Sequence, residues 1–232
     1  MPAEIRSLTV HIDTGRWSGT VLTDVDLTVS PGQITALIGG PGSGKTMIAR
    51  ALTGQLPTTA RRAGEILIDG SVGYLPQDGI DAFTPDRPVE AQLRELEQRH
   101  GAWRVEAART AALYPSDAAD LLPQHHSAGQ VQRAALAAAL VTAPDVLVAD
   151  NPTASLDRGT ADAVWASLRA YADSGAAVLV ITHDVPLLTI TGVAERLVVL
   201  HEGRVLAAGP LADVAACSEP EVQMYFRSCG QV

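Results

Sequence analysis

The sequence predicts an α/β fold with a mainly parallel core sheet, an N-terminal antiparallel β region and a helical subdomain. Residues 8–12 and 25–29 alternate apolar and polar side chains, as strands with one buried face do. From residue 145 onward, continuous apolar runs alternate with helical segments, which is typical of parallel strands covered on both faces. Between residues 88 and 122 the pattern is instead helical and polar.

The element that follows the first two strands is a buried strand that leads into a glycine-rich loop. Pro31 and Gly32 mark a turn, residues 34–38 form a continuous apolar run, and residues 47–52 favour a helix. A phosphate-binding loop requires this order of strand, glycine loop and helix.

The middle of the chain predicts a small helical insert, after which the strands resume. The apolar positions that recur there at helical spacing are Leu93, Leu96, Ala108, Ala111 and Ala112. Residues 146–149 and 177–181 are predicted strands, and the helix between them carries Val164, Leu168 and Tyr171 on one face. The tail after Pro210 fits no pattern clearly enough to be assigned.

These elements predict one domain over residues 1–232. Residues 1–78 and 143–232 are expected to form the core and the β region, and about 79–142 the helical subdomain. The length suits a single domain, and 47% hydrophobic against 19% charged residues is the composition of a globular chain. The net charge of -9 argues against a nucleic-acid partner, which calls for a basic face.

Cysteine usage and the chain's apolar runs bear on where the protein works. Cys217 and Cys229 both lie in the tail, without the second pair that a zinc site needs, so a reducing cytoplasm is expected. The N-terminus has no basic and apolar leader, and no apolar run reaches the roughly 18 residues that span a bilayer. Any membrane contact is therefore expected to go through another subunit.

The strongest chemical motif is a phosphate loop. The residues that match the pattern GxxxxGK[ST] are Gly39, Gly40, Pro41, Gly42, Ser43, Gly44, Lys45 and Thr46. Lys45 is expected to reach the β and γ phosphates of ATP, and Thr46 to bind Mg²⁺. Lys45 is also the only lysine, which fits a site where a planar guanidinium would crowd the phosphates. The alternative is an ordinary tight glycine turn.

A second acidic group is predicted beside this loop. Asp150 ends the apolar run 146–149, which places its carboxylate at the carboxyl edge of the sheet, where it would hold Mg²⁺. An aspartate in this position can also simply cap a helix or form a turn.

Together with further motifs in the same order, these segments resemble the ATPases of ABC transporters over almost the whole chain. Residues 126–130, His-Ser-Ala-Gly-Gln, are similar to the family's LSGGQ signature, residues 75–78 to its Q-loop, 154–157 to its D-loop and 181–184 to its switch-histidine segment. The resemblance implies a P-loop NTPase fold of ABC type that binds ATP and Mg²⁺.

The resemblance also assigns roles to single residues. Gln77 would contact Mg²⁺ and the reaction centre, and His183 the γ phosphate. The residues that would contact the nucleotide from the signature and the D-loop are Ser127, Ala128, Gly129, Gln130 and Asp157. Read without the family, His183 is a strand-end histidine, Gln77 a turn residue and Ser127 a helix N-cap. Trp17 lies where the family places an aromatic that stacks on adenine, although a packing role is equally open.

Two departures from the family pattern bear on mechanism. Asn151 stands where the family carries the glutamate that activates water, and an amide cannot accept a proton. Loss of a positioned base costs about 10² to 10⁴ in rate, so the site is expected to bind ATP and hydrolyse it poorly. In the signature, Ala128 replaces glycine and His126 replaces leucine.

The resemblance further implies partners. Family members close head to tail as dimers, and two sites lacking the glutamate would make a poor pump, so a heterodimer with a second ATPase subunit is expected. Residues 51–57 and 64–70 resemble the peptide, nickel and opine importer branch. That branch implies membrane-spanning permease subunits, an extracytoplasmic solute-binding protein and a peripheral position on the cytoplasmic face of the inner membrane. A regulatory nucleotide-binding module and a soluble ABC ATPase outside transport are the alternatives.

Overall fold

The computed structural model describes residues 2–100, 103–154 and 156–227. The strands of these residues are β1 Ala3–Asp13, β2 Ser18–Val29, β3 Ile34–Gly39, β4 Ala60–Ile68, β5 Val72–Leu75, β6 Val146–Asp150, β7 Ala177–Ile181, β8 Arg196–His201 and β9 Arg204–Pro210. The helices are α1 Lys45–Leu52, α2 Val89–His100, α3 Val105–Ala111, α4 Ala128–Val141, α5 Arg158–Asp173, α6 Val185–Thr191, α7 Leu211–Ala215 and α8 Pro220–Phe226. Short 3₁₀ turns span Gly79–Ala82, Ser116–Ala118 and Pro123–His125.

The strands form two sheets, as the sequence predicts. An antiparallel sheet has the order β2-β1-β4, and a six-stranded sheet has the order β5-β6-β7-β3-β8-β9. All neighbours in the larger sheet are parallel except β8 and β9. The predicted α/β class with a mainly parallel core and an N-terminal antiparallel region is therefore confirmed.

The larger sheet is covered on both faces, which explains its continuous apolar strands. Leu37, Val148 and Leu179 pack into one buried cluster with the antiparallel sheet and α1, while Leu147 and Val178 pack into the other with the helices. Each strand therefore alternates between two apolar layers instead of between core and water.

Strand order brings the predicted motifs to one edge of this sheet. Asp150 of β6 pairs with Ile181 of β7, and Ile181 pairs with Leu37 of β3. Because these strands are parallel, the segments that follow β5, β6, β7 and β3 all leave the sheet at its carboxyl edge. The Gln77, Asn151 and His183 segments and the phosphate loop lie there side by side.

The helical region and the tail complete the fold. Helix α4 is almost wholly buried and packs against α2, α3 and the turn Gly79–Ala82. In the tail, which the sequence leaves unassigned, α7 and α8 dock through buried Val214 and Val222. Cys229 lies outside the described residues. Within the described part of the chain, every helix falls short of the length and apolar character needed to cross a bilayer.

Candidate functional site

The phosphate loop joins β3 to α1 in a conformation that depends on glycine. Gly44 has a φ of 107°, and a Cβ there would lie 2.6 Å from Leu22 Cδ2. A Cβ on Gly39 would collide with the carbonyl of Leu200. Gly42 has a φ of 74°, but a Cβ there would meet nothing within 4 Å. The loop is thus held tightly at its ends and is open at its centre.

The ammonium group of Lys45 lies inside the loop. Its Nζ donates to the carbonyl oxygens of Gly39 and Gly40, at 2.8 Å each, and lies 3.4 Å from Ser43 Oγ. Partial burial lowers the pKa of Lys45, and the nearby charge of Asp150 offsets part of that effect. Since an ammonium has three donors, the long contact to Ser43 is the one that a phosphate oxygen can replace.

Helix α1 begins directly at Lys45. No side chain caps its N-terminus, and its first turn contains no acidic residue. Uncapped N–H groups and the helix dipole together favour an anion at this point. The loop and the helix therefore offer positive electrostatic potential to the same group.

The carboxyl group of Asp150 forms a hydrogen bond with the side chain of Thr46. Its side chain is buried, and burial raises its pKa, against the opposing effects of Lys45, a hydrogen bond with Thr46 and the charge of Arg50. Oxygen ligands of this kind fit Mg²⁺. The described residues hold no group of three or more His, Cys, Asp or Glu side chains, so phosphate oxygens and water would have to complete the coordination.

Asn151 and His183 follow adjacent strands. Asn151 has a φ of 50°, in the left-handed region that Asn adopts more readily than most residues, and its N–H donates to Ile181 at 2.8 Å. His183 is exposed. It follows buried Thr182, whose N–H donates to Leu37 of β3 at 3.1 Å. These backbone hydrogen bonds thus fix the positions of Asn151 and His183 at the edge of the sheet.

Gln77 lines a cleft of about 1040 Å³ together with Thr46 and Asp150. This cleft runs between the carboxyl edge of the sheet and the helical region, where α4 supplies Ala135 and Ala138. The predicted Mg²⁺ residues Thr46, Asp150 and Gln77 therefore share one cavity.

Gln132 is a residue of this region that sequence reasoning missed. It is 3% exposed, and its Nε2 donates to the carbonyl of Pro76 at 3.1 Å, directly before Gln77. The turn behind it is packed so closely that a Cβ on Gly79 would lie 2.6 Å from the carbonyl of Val131. A glutamine within an alanine-rich buried helix is the one sequence signal that could have indicated this bond.

The signature segment forms the start of α4. Ser127 caps the helix: its Oγ accepts the N–H of Gln130 at 3.2 Å, and its own N–H donates to Gln130 Oε1 at 2.9 Å. The helix-cap reading of Ser127 therefore holds within the chain. Ala128 is exposed and lines the cleft described above, and Gly129 is half-buried in the first turn. A contact with nucleotide on a second subunit stays a prediction.

His126, the unusual first residue of the signature, has polar partners. Its Nε2 lies 2.7 Å from the Tyr114 hydroxyl, and its Nδ1 lies 3.0 Å from the carbonyl of Leu122. Tyr114 is buried and its pKa is raised to about 12 by that burial. A histidine therefore takes the place of leucine by forming hydrogen bonds in a half-buried position.

The last two predicted residues lie at loop ends. Asp157 caps α5, and hydrogen bonds from the side chain and N–H of Thr160 lower its pKa. Ser155, its neighbour in the motif, lies outside the described residues. Trp17 is 55% exposed in the β1–β2 connection, four residues before Val21, whose carbonyl borders Gly44. Its ring packs against Gly19 and is open on the solvent side.

Comparison with known proteins identifies the family. A sequence model described as "ABC transporter" matches residues 22–154, which is more than half of the chain. The chain belongs to the ABC transporter family. That match includes the phosphate loop, the signature segment and Asp150.

Curated ABC transporter proteins resemble the chain over most of its length. A putative ABC transporter ATP-binding protein of Streptomyces coelicolor is 35% identical over 93% of this chain and 39% of its own length. Methionine import ATP-binding protein MetN 1 of Rhodococcus jostii is 32% identical over 91% of this chain and 67% of its own length. Oligopeptide transport ATP-binding protein OppD of Mycobacterium bovis is 30% identical over 91% of this chain and 39% of its own length. The chain thus spans less than half the length of two of these ABC relatives.

A solved ABC cassette supports the fold. The dimeric structure of an ATP-binding cassette in a post-hydrolysis state, bound to ADP and Pi, has a TM-score of 0.77 at 24% identity, over 90% of this chain and 98% of that one.

Proposed function

We propose that the chain binds Mg-ATP at its phosphate loop and serves as the energy-coupling subunit of an ABC transporter. One observation carries this proposal: Lys45, Thr46 and Asp150 meet at the carboxyl edge of the sheet, beside the uncapped start of α1. ATP supplies the phosphoanhydride that is hydrolysed, and Mg²⁺ neutralises its charge. Lys45 would hold the β and γ phosphates, while Thr46, Asp150 and Gln77 would hold the cation.

The remaining site residues would act around this centre. His183 would contact the γ phosphate from the end of β7, and Trp17 would stack on adenine with its exposed face. Ser127, Gly129 and the backbone around Ala128 would close over a nucleotide held by a second subunit. Asn151 leaves the position beside Asp150 without the proton acceptor that the family's glutamate supplies, which supports slow hydrolysis at the chain's own site.

The same reasoning extends to partners and substrate. We infer a heterodimer with a second ATPase subunit, permease subunits at the membrane and an extracytoplasmic solute-binding protein, with the chain on the cytoplasmic face of the inner membrane. The relatives named for oligopeptide and methionine import support an importer, and the 51–57 and 64–70 segments favour peptides, metals or metal chelates as cargo.

A calorimetric titration with Mg-ATP tests the central proposal. Lys45→Ala removes the charge nearest the phosphates, so its ATP affinity should fall by more than about tenfold, the effect of losing charge-assisted hydrogen bonds. Arg61→Ala, which removes a positive charge from exposed β4, is the matched control and should bind as the unaltered chain does. Equal affinity in Lys45→Ala and the unaltered chain would overturn the phosphate-loop assignment.

Asn151 also supports a second candidate, a regulatory nucleotide-binding module that uses ATP for assembly without turnover. ATPase measurements with and without a partner subunit separate the two. If the chain is a coupling subunit, substitution of Ser127 lowers ATP turnover by the complex. If it is a regulatory module, the chain binds ATP, but the complex hydrolyses ATP at the same rate with and without that substitution.

A further inference from the structure

Helix α8, the last helix of the described residues, contacts the phosphate loop. The hydroxyl of Tyr225, in α8, accepts the N–H of Gly40 at 3.0 Å. It also lies 3.4 Å from Nδ1 of His201, the last residue of β8. Since a phenol can accept one hydrogen bond and donate another, Tyr225 can accept from the loop while it donates to the imidazole.

The contacted N–H belongs to a peptide group that also holds Lys45. In the peptide between Gly39 and Gly40, the carbonyl oxygen accepts from Lys45 Nζ at 2.8 Å and the N–H donates to Tyr225. A trans peptide points its C=O and N–H in opposite directions, so this unit is clamped between the ammonium and the phenol. Tyr225 therefore fixes the orientation of a carbonyl that positions Lys45.

This peptide lies where β3 passes into the loop. Gly39 still pairs with Leu200 in the sheet, whereas Gly40 is a loop residue, and glycine populates a wider range of backbone conformations than any other residue. Pro41 follows without an N–H of its own, so it cannot supply a backbone donor to hold the loop. The Tyr225 hydroxyl is thus a specific restraint on the loop side of this peptide, at the Gly40 N–H.

Helix α8 is itself held firmly enough to supply that restraint. Val222 is fully buried, and Gln223 Nε2 donates to the carbonyls of Ala215 and Cys217 at 2.9 Å and 2.6 Å. The ring of Tyr225 packs against the main apolar cluster. The hydroxyl is therefore delivered to the loop by a docked element and not by a free side chain.

We propose that Tyr225 is a positioning residue of the phosphate loop and that it couples α8 to nucleotide binding. The inference rests on the proposed function, in that the loop is taken to bind ATP. Coupling is reciprocal: if the Tyr225 bond favours the loop conformation that binds phosphate, then bound nucleotide must stabilise the docked state of α8 by the same factor.

The test combines Tyr225→Phe, which keeps the ring and removes only the hydroxyl, with Met224→Ala as a control on the 52% exposed neighbour in the same helix. Loss of one hydrogen bond should weaken ATP and ADP binding about two- to tenfold. AMP has no β phosphate for Lys45 to hold, so its affinity should stay unchanged. Met224→Ala should match the unaltered chain throughout.

Hydrogen–deuterium exchange supplies the second readout. Mg-ATP should slow exchange in 220–227 of the unaltered chain, and this protection should be lost in Tyr225→Phe. Equal ATP affinity in Tyr225→Phe and the unaltered chain would overturn this inference but not the proposed function. An equal loss of affinity for ATP, ADP and AMP, together with a lowered melting temperature, would also overturn it, because that result marks a merely structural role. Absence of ATP binding by the unaltered chain would instead overturn the proposed function.

Discussion

At the scale of single residues, the proposed role of Asp150 in holding Mg²⁺ conflicts with stability. Its burial raises its pKa even though Lys45, Thr46 and Arg50 all favour the charged form. The folded protein therefore holds the Asp150 proton more tightly than the unfolded chain does. Its contribution to stability is fully present below the ordinary pKa of 3.8 and is lost as the pH rises through the raised folded value. At neutral pH the buried carboxylate destabilises the nucleotide-free protein.

Asp150→Asn should accordingly stabilise the nucleotide-free chain at pH 7. Each kcal/mol of relieved desolvation would raise the melting temperature by about 2–4 °C. The gain should vanish below pH 3.8, where the carboxyl is neutral in both states. The same variant should show a weaker dependence of ATP affinity on Mg²⁺, because an amide is a poor ligand in place of a carboxylate. Melting temperatures measured over a range of pH check the stability prediction, and ATP titrations with and without Mg²⁺ check the binding prediction. A lower melting temperature of Asp150→Asn at pH 7 would contradict the stability prediction.

Residues of the site differed in how far sequence alone could predict them. Lys45 and Asp150 have local signals, namely a glycine pattern before a helix and an acid after an apolar strand. Gln132 is marked only as a glutamine within an alanine-rich helix, and Tyr225 has no local signal. The partners of both were unpredictable, because they lie 56 and 185 residues away in the chain. Ser127 carries two readings at once, since its capping bond lies within the chain and its predicted phosphate contact requires a second subunit.

At the scale of elements, the continuous apolar strands and the periodic helix between them were predictable, and the short helices of the tail were not. The strand 34–38 and the helix through Val164 and Leu168 agree with β3 and α5, because apolar spacing is decided by the layers they pack between. Helices α7 and α8 have five and seven residues, too few for a helical period to stand out. Tertiary docking through one buried valine each stabilises them.

Helix α4 links the signature segment to the Gln77 segment through one buried bond. The amide of Gln132 donates to the carbonyl of Pro76, directly before Gln77. Gln132→Leu leaves that carbonyl without its partner, which should cost about 1–3 kcal/mol of the free energy of unfolding. Urea denaturation measures this, and Gln98→Leu on the exposed side of α2 is the matched control. Equal midpoints for the two variants would show that the bond contributes nothing.

At the scale of the whole molecule, the proposed function gives the chain two half-sites of unequal quality. Its phosphate loop is complete, but Asn151 follows Asp150 in place of an acid, in a left-handed conformation that suits Asn. Its signature segment keeps Ser127 at the exposed start of α4. In the proposed heterodimer, this chain contributes the loop to a slow site and the signature to the partner's site.

The last prediction follows from that asymmetry and concerns the reconstituted complex. Ser127→Arg places a bulky charge where the partner's nucleotide would bind, so steady-state ATPase activity should fall by an order of magnitude or more. Asn151→Gly suits the φ of 50° and removes an amide that cannot accept a proton, so activity should change less than twofold.

Two controls make the comparison between these variants specific. Ser127 also caps α4, and loss of a cap costs about 1 kcal/mol, so the melting temperature of each complex is measured alongside its activity. Gln98→Arg adds the same charge to an exposed face of α2 and should leave turnover unchanged. Substantial hydrolysis by the purified chain without its partner would contradict the prediction, because some group other than Asn151 would then activate the water. Equal losses from Ser127→Arg and Asn151→Gly would contradict it as well, since both half-sites would then be needed for turnover.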